Sequence, residues 1–229
     1  MSANGLSQLV FLCSAYVLVH ADRGMVAGFL APVQTSLGLS KSQAGALASA
    51  TTAGLMVGQL ISGIASPRMD VGRVMGGSFF VLAAAAWALS LARGWAALLA
   101  CRALAGASEA VLLTLAMPEL DDAAPRHRRS LFVGIYLSMP YVGAACGFAA
   151  SATSSKWEVG RKFFAVEGVL WLPLGLLACS CPRLVRGRTD CRSADATSEL
   201  SSHEGGARGA TRTERRLLIQ QEWNEIFNM

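Results

Sequence analysis

Charge is scarce in this sequence. Only 15% of its 229 residues are Asp, Glu, Lys or Arg, where soluble domains carry about one quarter. With 53% hydrophobic residues and a mean hydropathy of +0.42, that shortage excludes an ordinary soluble domain and leaves a membrane chain. Histidine is scarce too: His20, His127 and His203 stand far apart. No Ser/His pair, metal-ligand set or phosphate-binding glycine loop accompanies them. Enzyme chemistry, metals and cofactors are therefore not expected, and His20 reads as a packing or interfacial residue. Six cysteines show no metal-ligand spacing and mostly sit in apolar runs, so they read as small packing residues. Cys179 and Cys181, beside Arg183 and Arg186, offer a palmitoylation position. The first twenty residues lack a basic stretch, which speaks against a cleaved signal peptide. The net charge of +5 would suit nucleic acid, but Lys and Arg lie scattered at the ends of apolar segments rather than in a patch with aromatics. No nucleic-acid partner is expected.

What is present is apolar sequence in long runs. A span needs about 20 mostly apolar residues, and six such stretches can be drawn before Pro182. They cover about 8–33, 42–66, 71–91, 95–117, 130–152 and 161–181. The expected fold is an all-α membrane domain over residues 1–182, with short connections that make neighbours antiparallel. Beyond it, 183–213 is polar, with little to bury, and is expected to be disordered. Leu217, Leu218, Trp223, Ile226 and Phe227 recur at roughly helical spacing among charges, which predicts a short amphipathic helix over 214–229. With the N-terminus inside, the inner side carries Arg68, Arg73, Arg126, Arg128 and Arg129 and then the first Arg residues of the tail. The outer side carries Lys41, Arg93, Lys156, Arg161 and Lys162. The positive-inside rule then places both termini in the cytoplasm. Small residues recur at four-residue spacing at Gly54 and Gly58, and at Gly143, Gly147 and Ser151, a pattern that lets helices approach closely in lipid. Pro140 falls within the fifth span and predicts a bend there.

Four charges stand inside this apolar material. Asp22 and Arg23 interrupt the first run, and Arg102 and Glu109 interrupt the fourth. Each costs roughly 2.5–3.5 kcal/mol at a span's centre on insertion scales. Seven residues of helix put Arg102 and Glu109 on one face, roughly 10 Å apart, too far to pair with each other. Between them, Ala103 to Ser108 are small apart from Leu104, so a neighbouring helix can come close and bring Asp22 and Arg23 to them. Two arginines and two carboxylates then balance in a shared cluster. Arginine in a cavity binds phosphate or carboxylate bidentately. A carboxylate there is caught between desolvation and a cationic neighbour, the physics of a proton-coupled switch. The plainer alternative is a static network that only fixes packing.

The run Ala21-Asp22-Arg23-Gly24-Met25-Val26-Ala27-Gly28-Phe29-Leu30 and the run Arg102-Ala103-Leu104-Ala105-Gly106-Ala107-Ser108-Glu109-Ala110 resemble the first and fourth helices of Spinster-type transporters in the major facilitator superfamily. The family's patterns there are close to D-R-x-x-V-A-G and R-x-x-x-G-x-x-E-A. Pro140 to Gly147 resembles the fifth helix of that family, and Phe163-Phe164-Ala165-Val166-Glu167-Gly168 the start of the sixth in many facilitators. The resemblance covers about residues 9–182 and implies the N-terminal six-helix half of a transporter. It implies proton-linked movement of a lysolipid or a sphingoid-phosphate-like amphiphile. Asp22 and Glu109 would be the proton-coupling carboxylates, with Arg23 and Arg102 as charge partners or headgroup contacts. Gly106, Pro140, Gly143 and Gly147 would serve helix packing. The conformational gate loop of the family reads G-x-x-x-D-R-x-G-R-K/R; here Pro67 stands in place of its Asp, while Gly63, Arg68, Gly72 and Arg73 remain. The 214–229 stretch resembles the linker before a seventh helix, so a second six-helix half or a second copy is the expected partner, alongside the lipid bilayer, protons and an anionic or amphiphilic substrate. The competing expectation is a non-transporting membrane protein that acts through its helices or tail.

Overall fold

The computed structural model describes residues 3–65, 70–181 and 184–185. Six helices follow in order: α1 Ala3–Leu37, α2 Lys41–Ala65, α3 Val71–Leu91, α4 Trp95–Ala123, α5 Arg129–Ala152 and α6 Trp157–Ser180. All six are long and apolar enough to cross a membrane. The contacts divide the chain into Met1–Gly187 and Arg188–Met229, and the second unit lies outside the described residues. So do Arg68, the expected disordered stretch 183–213 apart from Leu184 and Val185, and the expected amphipathic helix 214–229.

Helix ends follow local chemistry. Gly38 ends α1 in the left-handed region (φ 62°), and the Leu39 amide then reaches back to the Gln34 carbonyl at 3.0 Å, a six-to-one closure that glycine permits without steric cost. Two residues on, Ser40 and Gln43 exchange side-chain-to-amide bonds of 3.2 and 3.0 Å. This reciprocal box satisfies two of the orphan amides at the start of α2. At α3 the carboxylate of Asp70 accepts from the Gly72 amide at 3.0 Å. A short 3-10 turn, Arg126–Arg128, joins α4 to α5.

Three helices run longer than the hydropathy of their sequences indicates. α1 begins at Ala3 rather than near residue 8, because Gln8 is not a boundary residue. It is buried, and its amide nitrogen donates to the carbonyls of Glu119 (3.2 Å) and Val185 (3.0 Å). α4 passes through Pro118 to Ala123, past the expected end at 117. Proline removes one helical bond, yet Glu119 and Leu120 beyond it are buried, so tertiary contacts carry the helix on. α6 starts at Trp157 rather than near 161, with Trp157 and Gly160 packed inside.

The helices associate chiefly in pairs: α1 with α5, α2 with α4 and α3 with α6. Glycine makes the first two contacts close. A Cβ on Gly147 would strike the Ala21 carbonyl of α1, and one on Gly143 the Val17 carbonyl. A Cβ on Gly106 would strike the Thr51 carbonyl of α2. The α3–α6 pair is close at glycine too, with Gly76 against Cys179 and Gly168 against Trp87, and the Trp87 indole donates to the Ala165 carbonyl at 3.1 Å.

The small face of α4 therefore receives α2, not α1. Ala103 and Ala107 meet Gly54 and Gly58 of α2, so the charges of α1 reach α4 outside that small-residue seam. Pro140 lies half-buried within an α5 that is one continuous helix.

Candidate functional site

Two apolar cores form within the bundle, and a thin polar layer separates them. One gathers Leu12 and Val19 of α1 with Phe79 of α3, Leu112 of α4 and Trp171 of α6. The other gathers Phe29, Leu89, Leu98 and Phe164 from the same four helices. Between them, in sequence on each of three helices, fall Asp22, Arg102 and Glu167. Residues 22 and 167 sit near the midpoints of α1 and α6, so the layer lies at mid-depth of the bundle.

The four charges read from the sequence meet here as two crossed pairs. Arg102 grips Asp22 with both Nη atoms, one to Oδ1 at 2.8 Å and one to Oδ2 at 2.6 Å. Its Nε donates to the Thr51 hydroxyl of α2 at 3.1 Å. That bidentate fork is the strongest form of arginine–carboxylate bond, and both side chains are almost wholly buried. Arg23 instead reaches Glu109, placing Nη2 at 2.7 Å and Nε at 3.2 Å on the same oxygen, Oε2. Glu109 is buried while Arg23 stays 35% exposed. The pairs thus differ in kind: one is sealed, and the other presents its cation at a surface.

Removing water from four charges is expensive, and pairing with extra hydrogen bonds is what offsets it. The layer has all three supports: a fork, a hydroxyl and opposite charges on adjacent residues of α1. Such an arrangement can hold an anion at Arg23. It can also exchange partners if any carboxyl gains or loses a proton.

A fifth ionisable group, in sequence only one residue of the Phe163–Gly168 motif, completes the layer. Glu167 of α6 is 4% exposed and lines one pocket with Asp22, Arg102, Glu109 and Trp171. Its signal in the sequence is a carboxylate inside an apolar run, as at Asp22 and Glu109.

The remaining expected site residues lie elsewhere. Gly63 has open space around its Cα, while Gly72 and Arg73 belong to the first turn of α3. His20 donates from Nδ1 to the Tyr16 carbonyl one turn back at 3.0 Å, and its ring meets Tyr16 edge-on. Among the described residues no group of His, Cys, Asp and Glu could hold a metal ion.

Comparison with known proteins gives the same architecture. Residues 12–227 match the family model described as Major Facilitator Superfamily. A probable sphingolipid transporter, spinster homolog 2 of Arabidopsis thaliana, is 26% identical over 145 residues, 63% of this chain and 30% of the relative. The hexuronate transporter of Bacillus subtilis (strain 168) is 26% identical over 176 residues, 76% of this chain and 42% of the relative. Among solved structures, a bacterial homolog of the human lysosomal transporter Spinster, inward-facing and occupied, superposes with a TM-score of 0.68 at 20% identity. That match covers 80% of this chain and 46% of the other. The chain spans less than half the length of these relatives.

Proposed function

Because the chain belongs to the Major Facilitator Superfamily, whose members transport rather than catalyse, we propose that it contributes to proton-coupled movement of an anionic amphiphile, of the lysolipid or sphingoid-phosphate kind. The observation that carries this is the asymmetry of the two ion pairs. Arg23 is the partly exposed cation of the layer, held on one oxygen of Glu109, so a phosphate or carboxylate headgroup can compete for it. Facilitators place their substrate near the midplane, between two six-helix halves, and this layer lies at mid-depth. A narrow apolar pocket lined by Phe29, Leu30, Leu47, Leu98, Trp157 and Phe164 borders Arg102. Similarity to a probable sphingolipid transporter supports an amphiphile, and similarity to a hexuronate transporter supports an anionic group.

In this reading Asp22 and Glu109 are the coupling carboxylates. Protonation of Glu109 frees Arg23 for the headgroup, and protonation of Asp22 loosens the sealed fork. The exposed apolar side chains of α2 (Met56, Leu60, Ile64) and α5 (Leu131, Tyr141, Phe148) provide a surface for a second six-helix half or a second copy. The test is uptake of a radiolabelled lysolipid into proteoliposomes under an imposed pH gradient. Gradient-dependent uptake that Glu109→Gln reduces at least tenfold is the expected result. Uptake that ignores both the gradient and Glu109→Gln would refute the coupling assignment.

A further inference from the structure

The polar layer does not balance as ionised groups: three carboxyls, Asp22, Glu109 and Glu167, face two guanidiniums, Arg23 and Arg102. Two of the carboxyls take the guanidiniums, as above. Glu167 takes none. Its Oε1 accepts from the Trp171 indole nitrogen at 3.1 Å. Among the described residues its Oε2, fully enclosed, has no hydrogen-bond partner. A buried anion with an orphan oxygen costs far more than a neutral acid.

The neighbours point to how that oxygen is satisfied. The Glu167 carboxyl lines the same small pocket as the Asp22 carboxylate. Two ionised carboxylates can only accept, so neither can bond the other. A single proton on Glu167 changes that, turning Oε2 into a donor toward Asp22 while Oε1 keeps the indole. Around the pair, α4 presents Arg102, Glu109 and the Cys101 thiol, and α2 presents the Thr51 hydroxyl. α3 presents only Leu82, Ala85, Ala86 and Leu89. With that proton the layer is neutral; without it the layer carries one negative charge in an apolar surround.

We propose that Glu167 is the proton-bearing member of the site, holding its proton at neutral pH and donating it as a hydrogen bond to the Asp22 carboxylate. When the O–H bond of Glu167 breaks and the proton passes to water, Glu167 becomes a second anion competing for Arg102. The sealed Arg102–Asp22 fork is then shared between α1 and α6. This places a proton site on α6, where the coupling assignment above used only α1 and α4. It rests on that assignment for its role in transport, but the protonation state is readable without transport.

The experiment is infrared difference spectroscopy on the full chain in lipid nanodiscs at neutral pH, following the carbonyl stretch of a neutral carboxylic acid. The expected result is an acid band in the unsubstituted protein that is lost in Glu167→Gln and kept in Glu109→Gln. In Trp171→Phe the band should move, because its oxygen has lost the indole donor. No acid band at neutral pH, or one that persists in Glu167→Gln, overturns the proposal. Should Glu167→Gln fail to fold, Trp171→Phe decides: an unmoved band overturns it. An acid band assigned to Glu167 in a protein without gradient-driven uptake would sink the transport reading and leave this one standing. Uptake without the band would do the reverse.

Discussion

At the scale of single residues, the sealed and exposed ion pairs should respond differently to mutation. Asp22→Ala strands Arg102 in an almost fully buried position, where an uncompensated charge costs about 3–5 kcal/mol. Replacing both partners by apolar residues of similar size, as in Asp22→Leu with Arg102→Met, should recover most of that loss, since a buried pair is often no more stable than a well-packed apolar one. Thermal unfolding in detergent of the two single variants and the double variant checks this. A double variant as unstable as the sum of the singles would contradict it. If the pair serves transport rather than packing, the recovered double variant should fold and yet move no substrate. The intramembrane charges were legible because lipid makes every charge conspicuous. Their partners followed from spacing: residues 102 and 109 share a face but cannot reach each other. Glu167 was not legible as a member of the layer, because two arginines and two carboxylates already balance in the sequence and only burial puts a third carboxyl beside them.

Elements make contact through glycine, and the consequences are graded by what a methyl group would meet. Gly106→Ala and Gly147→Ala each drive a Cβ into a backbone carbonyl of the partner helix. Overpacking of this kind typically costs about 1–3 kcal/mol. Gly63→Ala, with nothing near its added methyl, should change stability by no more than about 0.5 kcal/mol. Unfolding midpoints of the three variants, measured side by side, test the ranking. At the α1–α2 corner, Gly38→Ala forces a side chain into the left-handed region, and Ser40→Ala removes the hydroxyl of the capping box. The second change should cost about 0.5–2 kcal/mol, read in the same unfolding assay. The small-residue spacing of α2 and α5 was visible in sequence, but which helices would meet was not. Ala103 to Ser108 suited α1 or α2 equally by size. The reciprocal glycines Gly54 and Gly58 sit on α2, and that complementarity needs three dimensions to see. Helix ends follow the same logic: Gln8 and Pro118 read as boundaries in the sequence, and burial around them carries α1 and α4 further.

For the whole molecule, an even number of membrane-crossing helices places both ends of the bundle on one side. From the arginines of the α2–α3 and α4–α5 connections, the positive-inside rule predicts that this side is the cytoplasmic one. Tags at either end should resist protease added to intact cells and become sensitive once the membrane is opened. Sensitivity of one end alone would break the even count. The half-facilitator architecture was legible because apolar runs and charged interruptions report on the solvent around them. The pairing of helices and the fifth member of the polar layer were not, because both depend on which surfaces face inward.

The crossed pairing between α1 and α4 also has a consequence for how the chain is made. α1 emerges from the ribosome first, carrying Asp22 and Arg23, and meets Arg102 and Glu109 only after two further helices have been synthesised. Until then two charges sit in lipid without their partners, at roughly 2.5–3.5 kcal/mol each. α1 should therefore wait beside the insertion machinery until α4 arrives. Crosslinking of nascent chains stalled after α3 should capture α1 at the translocon, and chains stalled after α4 should release it. Chains with Asp22→Leu and Arg23→Leu should release it early, so the same charges that define the site also set the order in which the protein is built.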